Sequence, residues 1–308
     1  MNIKKFCFGS VMNTEAVVLD IKESNKNDMP YLKIGFQNEL TYELKKKDII
    51  YGLGENVRGI NKKGWIYESF CSDEFEHTED RKSIYAAHNF LILQGSEIFG
   101  VFIDCPGKVI FDLGYTKGDL MCIKVPENNF DLYIIQGNSL KEIAKNFREL
   151  VSKSYIAPKW AFGYQQSRWG YKNKEDILNV VEGFKKNDIP IDGVCLDIDY
   201  MERFKDFTID KEKFGDFENF VKNLKSQGIR LIPIIDAGVK IEKGYDVYDE
   251  GVENGYFCVD KNNKPFVAAV WPGKVHFPDF LNEDVRAWFG EKYKYLIDKG
   301  IEGFWNDM

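Results

Sequence analysis

Ile301-Glu302-Gly303-Phe304-Trp305-Asn306-Asp307-Met308 reads as a short buried strand that ends on a carboxylate. Ile301, Phe304 and Trp305 supply the apolar surface, and Asp307 stands where a strand gives way to a loop. Upstream, residues 282–299 carry a helical period and stop at Gly300. The same alternation runs back along the chain. Strands are predicted at 230–235, 191–196 and 160–164. Helices are predicted at 217–225, ended by Gly228, and at 173–184, capped by Asn173 and burying Ile177, Leu178, Val180, Val181 and Phe184. Residues 237–281 show little regular pattern. Continuous apolar strands alternating with helices predict parallel strands buried on both faces. An open doubly wound sheet and a closed barrel both fit. No glycine-rich phosphate loop follows the first strand, which argues against nucleotide binding. About four β/α units are present, where a β/α barrel needs about eight. A buried strand is an unusual place for a natural C-terminus, so the sequence is expected to be the front part of a longer protein.

The preceding half has a different texture. Runs at 16–21, 31–36, 65–70, 90–93, 98–103, 109–113, 121–125 and 130–135 are short and rich in β-branched and aromatic residues. Their spacing of about ten residues predicts an antiparallel sandwich. Lys45-Lys46-Lys47, followed by Asp48, reads as a solvated hairpin turn. Ser139-Leu140-Lys141-Glu142 is a capping box opening a helix whose buried face is Ile143, Ala144, Phe147, Leu150 and Val151. Pro158 closes that connection, and the domain boundary is placed here.

The bulk composition narrows the function. A chain that is 44% hydrophobic and 15% aromatic can pack a sizeable core. A net charge of −7 argues against nucleic acid as the main partner. Six scattered cysteines without a C-x-x-C pair make neither a metal framework nor a disulfide scaffold, and the three histidines lie too far apart for a zinc site. No run is long enough to span a membrane, and the apolar stretch after Lys4-Lys5 is too short and interrupted for a signal peptide. A soluble protein in the reducing cytoplasm is expected. The oligomeric state is left open, a homo-oligomer included.

Each predicted strand of the second half is followed by polar residues: Gln165 to Trp169, Asp197-Ile198-Asp199, Asp236, and Asp307. In a parallel β/α fold these ends share the face that carries active sites. A single Asp after a strand most often caps a helix. Carboxylates ending three successive strands, with Trp169 and Trp305 nearby, suit a sugar: acids accept from hydroxyls and indole faces stack on the ring. Taken singly, Trp169, Trp271 and Trp305 fit core packing equally well. Asp197 and Asp199 share one face only until the strand bends into its loop, so at least one of them is structural or orients substrate. Glycoside hydrolysis needs paired acids. Tyr51-Gly52-Leu53-Gly54-Glu55 fits a tight turn, and the acidic loop from Cys71 to Asp80 fits a solvated loop.

The sequence resembles the α-glucosidases of glycoside hydrolase family 31. The resemblance rests on Gly52-Leu53-Gly54-Glu55, on Gly163 to Tyr171, on Leu196 to Met201, on Val270-Trp271-Pro272-Gly273 with Phe277-Pro278-Asp279-Phe280, and on Phe304 to Met308. It implies a multidomain β + α/β chain: an N-terminal antiparallel β-sandwich over 1–137, a linker helix over 138–157, and the first half of a (β/α)8 TIM barrel over 158–308. It implies a retaining exo-α-glucosidase acting on short α-glucosides such as maltose or isomaltose oligosaccharides, with no cofactor and no metal. Asp307 matches the nucleophile and Asp197 a carboxylate that binds sugar hydroxyls. Trp169, Ile198, Ile234, Trp271, Trp305 and Met308 match positions lining the subsite. Asp73 matches the sandwich loop that reaches over the pocket, and Asp236 supports the site. The family's acid/base aspartate belongs to a later strand than any in this sequence, so the 308 residues by themselves are expected to be inactive. Other activities of the family (α-xylosidase, transglucosidase, α-glucan lyase) and a non-catalytic fragment are the alternatives.

Overall fold

The computed structural model describes residues 2–307, and the chain divides into two compact units, Met1–Tyr155 and Ile156–Met308. In the first unit the strands are β1 (Asn2–Phe8), β2 (Lys33–Ile34), β3 (Leu40–Glu43), β4 (Ile49–Gly52), β5 (Ile66–Ser69), β6 (Phe90–Gln94), β7 (Ile98–Asp104), β8 (Val109–Leu113), β9 (Leu120–Lys124) and β10 (Phe130–Gln136). They form two antiparallel sheets, ordered β1-β10-β7-β6-β4 and β2-β3-β9-β8-β5. Alternating apolar side chains from both sheets, among them Phe6, Phe8, Leu91, Val101, Phe111, Ile123 and Leu132, make the shared core. The helix α1 (Leu140–Leu150) starts where the Ser139 hydroxyl accepts from the Glu142 N–H. Its apolar stripe covers the outer face of the first sheet: Ile143 and Leu150 cluster with Ile92, Phe102, Tyr133 and Ile135, and Phe147 stacks on Phe90 at 3.7 Å. A side chain at Gly100 would meet Ile143, so only glycine lets α1 sit this close.

The second unit contains an open, parallel four-stranded sheet ordered β11 (Gln165–Gln166), β12 (Gly193–Leu196), β13 (Arg230–Asp236) and β17 (Trp305–Asp307). Helices join its strands: α2 (Lys174–Lys186), capped by Asn173 accepting from the Asp176 N–H; α3 (Lys211–Phe214); and α4 (Phe217–Ser226). Between β13 and β17 come β14 (Val239–Lys240), α5 (Asp246–Glu253), β15 (Ala268–Val270), β16 (Gly273–His276), α6 (Glu283–Lys292) and α7 (Lys294–Ile297). Ile177, Val181, Phe220, Val221 and Leu224 pack on the sheet residues Val194, Leu196, Leu231 and Ile235.

Several expectations need correction. Residues 16–21 form no strand: Val17, Leu19 and Ile21 pack against the α1 cluster, and the Val18 N–H donates to the Leu150 carbonyl. Residues 45–47 make a turn, but it links β3 to β4 in different sheets and is no hairpin. The apolar run 160–164 is a 3-10 turn (Lys159–Phe162), and the polar pair Gln165–Gln166 is the strand. The excursion 237–281 holds α5 and a small antiparallel sheet, β14-β16-β15. The helix expected over 282–299 is two helices, α6 and α7. No described helix is long and apolar enough to cross a membrane.

Candidate active site

Strand register fixes the site. Ile234 pairs with Trp305 and Asp236 with Asp307, while Gly193 pairs with Arg230 and Cys195 with Ile232. Paired residues on parallel strands share a face, and side chains alternate along each strand. Ile234, Asp236, Trp305 and Asp307 therefore stand on one face, and Asp197, two residues past Cys195 in extended backbone, joins them. Three carboxylates thus crown the C-terminal ends of three neighbouring strands. Gly193 leaves room lower on this face, where a Cβ would come within 2.9 Å of Ile232.

Each group is held differently. Asp197 is half-buried and caps the 3-10 turn Ile198–Tyr200, its carboxylate accepting from the Ile198 N–H at 2.7 Å. Burial raises its pKa from the ordinary carboxylate value, the Ile198 N–H opposes that, and the charges of Asp199 and Asp307 add to the rise. The turn re-aims Asp199, which is half-buried with one oxygen inaccessible and unpaired. Asp236 is buried; burial first, then the charges of Asp307 and Asp197, push its pKa up to about 6. Asp307 is exposed at the rim. Trp305 is anchored by its indole N–H, which donates to the Leu196 carbonyl at 3.1 Å and so ties β17 to the end of β12.

The remaining expected residues are placed less centrally. Ile234 and Ile198 are in the core, 1% and 3% exposed, so each offers the face an edge at most. Trp169 and Trp271 are 70% and 55% exposed, on loops, and neither indole N–H has a partner among the described residues. Trp271 and Pro272 form the two-residue link of the β15–β16 hairpin. Asp73 is an exposed loop residue of the first unit, in a segment braced by Arg81 with Glu74 and Glu76. Met308 lies outside the described residues. Among the described residues no group of His, Cys, Asp and Glu could hold a metal ion, and His276 spends its Nδ1 on the Phe266 carbonyl while stacking near Tyr248.

Sequence reading missed the floor of the site. Beneath the strand ends lie Tyr200, Asp206, Tyr245 and Tyr293. The fully buried Tyr200 hydroxyl donates to the Ile234 carbonyl at 2.8 Å, and the Tyr293 hydroxyl accepts from the Asn306 side chain at 2.7 Å. Asp206 accepts the Asp236 N–H at 3.0 Å. Tyr200 belongs to a motif already singled out, yet its spacing gave no hint that it supports the next strand. Asp206 sits in a charged loop stretch and carried no signal.

Residues 154–308, half of the chain, match the model of the glycosyl hydrolases family 31 TIM-barrel domain, and residues 10–112 match the family 31 N-terminal galactose mutarotase-like domain. This chain belongs to glycosyl hydrolase family 31. It is 35% identical over 267 residues to alpha-glucosidase 2 of Bacillus thermoamyloliquefaciens, a match covering 86% of this chain and 34% of that protein. It is 31% identical over 282 residues to alpha-xylosidase 1 of Arabidopsis thaliana, covering 88% of this chain and 30% of that one. The fold superposes on a Flavobacterium johnsoniae family 31 dextranase complexed with glucose, with a TM-score of 0.81 at 25% identity, over 91% of this chain and 34% of the dextranase. This family 31 chain therefore spans about a third of the length of these relatives. The expected architecture holds: a β-sandwich-like first domain, then the start of the barrel.

Proposed function

We propose that these 308 residues are part of a retaining exo-α-glucosidase that releases glucose from the non-reducing ends of short α-linked oligosaccharides. One observation carries this reading. Asp197, Asp236 and Asp307 share a face at the ends of neighbouring parallel strands, beside Trp305. In the proposed cycle an Asp307 oxygen attacks the anomeric carbon as the glycosidic C–O bond breaks, and water later cleaves the glycosyl ester with net retention. Asp197 accepts hydrogen bonds from sugar hydroxyls, Asp236 supports the same ring, and Trp305, with Trp169 and Trp271, offers apolar surface to it. Ile198, Ile234 and Met308 complete the proposed substrate contacts within the second unit. Glucose bound to the dextranase relative supports a sugar as ligand. The leaving alcohol takes its proton from the acid/base group of a later strand, so residues 1–308 alone are expected to turn over little.

The test is Asp307→Asn in the full-length enzyme, assayed on an aryl α-glucoside. A loss of about a thousandfold or more in kcat is expected for a missing nucleophile. Near-normal turnover would remove Asp307 from that role. A second reading, α-xylosidase, is favoured by the 31% identity to alpha-xylosidase 1. Side-by-side kcat/KM on aryl α-glucoside and aryl α-xyloside separates the two.

A further inference from the structure

Asp206 lies in the loop before α3 and is 1% exposed. One of its oxygens accepts the Asp236 backbone N–H at 3.0 Å, and its own main-chain carbonyl accepts from the Tyr245 hydroxyl at 2.9 Å. Its other oxygen, Oδ2, is inaccessible and has no partner, and Asp236 Oδ1 is in the same condition. Tyr200 faces this pair from the turn after β12, Tyr245 from the start of α5 and Tyr293 from between α6 and α7. Among the described residues no cation pairs with either carboxyl. The neighbouring Lys205 ammonium is engaged with Glu202 and Glu242, each at 3.3 Å. Two buried carboxylates without a cation cannot both stay charged. A protonated carboxyl also has one O–H to donate, and the other carboxylate lacks one donor.

We propose that Asp206 is a positioning residue of this site, a neutral carboxylic acid that holds the end of β13 through the Asp236 N–H and donates its proton to the buried Oδ1 of Asp236. The proton stays on Asp206, so one negative charge remains in the pair, on Asp236 and aimed at the sugar side. Burial holds the Asp206 acid well above the usual carboxylate range, against the pull of the Asp236 N–H alone. The inference rests on the reading of Asp236 as a substrate-pocket carboxylate.

The experiment compares wild type, D206N and D206A in the full-length protein. Asn keeps an acceptor and supplies an N–H where the O–H stood; Ala removes both. In urea unfolding, the wild type should lose stability relative to D206N by about tenfold in the unfolding equilibrium constant per pH unit above about 4, because the unfolded chain releases a proton that the native state keeps. A difference that is flat with pH overturns the neutral acid. On an aryl α-glucoside, D206N should keep the acidic limb of kcat/KM near the wild-type position, and D206A should move it up by about one pH unit as Asp236 loses its donor. An unmoved limb in D206A overturns the donation. A wild type without glycosidase activity would overturn the functional reading instead, and the unfolding slope would still decide the state of Asp206.

Discussion

Replacing Asp236 with Asn is expected to make the protein more stable at neutral pH and less active. The native state holds the Asp236 carboxyl at a pKa of about 6, whereas the unfolded chain holds it at 3.8. The protonated form is thus favoured by folding. Its contribution is fully present below about pH 4 and is lost as pH rises through about 6. Two pKa units are worth ~3 kcal/mol at ~1.4 kcal/mol each, or roughly a hundredfold in the unfolding equilibrium constant. Burial is the leading cause, ahead of Asp307. The exposed carboxylate of Asp307 is screened by water, which keeps its contribution behind that of burial. Asn cannot ionise, and its amide oxygen can still accept from the protonated Asp206. Urea unfolding of both proteins across about pH 4 to 8 should show the D236N advantage growing by ~3 kcal/mol between about pH 4 and 6.5, then levelling. Turnover of an aryl α-glucoside should fall in the same variant, the signature of a residue kept at a cost in stability. A stability difference that does not change with pH would refute the reasoning.

Two further substitutions test how the strand ends are held. Tyr200→Phe removes the hydroxyl that satisfies the Ile234 carbonyl in a fully buried position, and denaturant unfolding should show a loss of about 1–3 kcal/mol. Trp305→Phe keeps an aromatic face but strands the Leu196 carbonyl; a rise in KM with a loss of ~1 kcal/mol or more in stability is expected, and an unchanged KM would take Trp305 out of the sugar site.

The sequence made the strand-end carboxylates legible because position in a β/α unit dictates direction. Once β13 and β17 are strands, Asp236 and Asp307 fall side by side by register. Asp197 was legible for the same reason, and the turn Ile198–Tyr200 resolved its rivalry with Asp199. Other readings failed where pattern and hydrogen bonding part company. Val17, Leu19 and Ile21 alternate as a strand does, but only packing, not a ladder, uses the alternation. The short strand β11 is made of two glutamines, and the apolar run before it coils into a 3-10 turn. β1 was read for a leader rather than for the Phe6 and Phe8 that it buries. Asp206 and Tyr245 are 39 residues apart and meet only because α5 closes over the loop. No local period encodes such a contact.

The most direct test of the central claim is to trap the glycosyl-enzyme. The full-length protein would be incubated with a fluorinated α-glucosyl fluoride that forms the ester faster than water releases it, then digested and analysed by peptide mass spectrometry. The account predicts one fluoroglucosyl group on the peptide that contains Asp307, located on that carboxylate by fragmentation. A label on any other carboxylate, or turnover of the reagent with inverted product and no label, would contradict it.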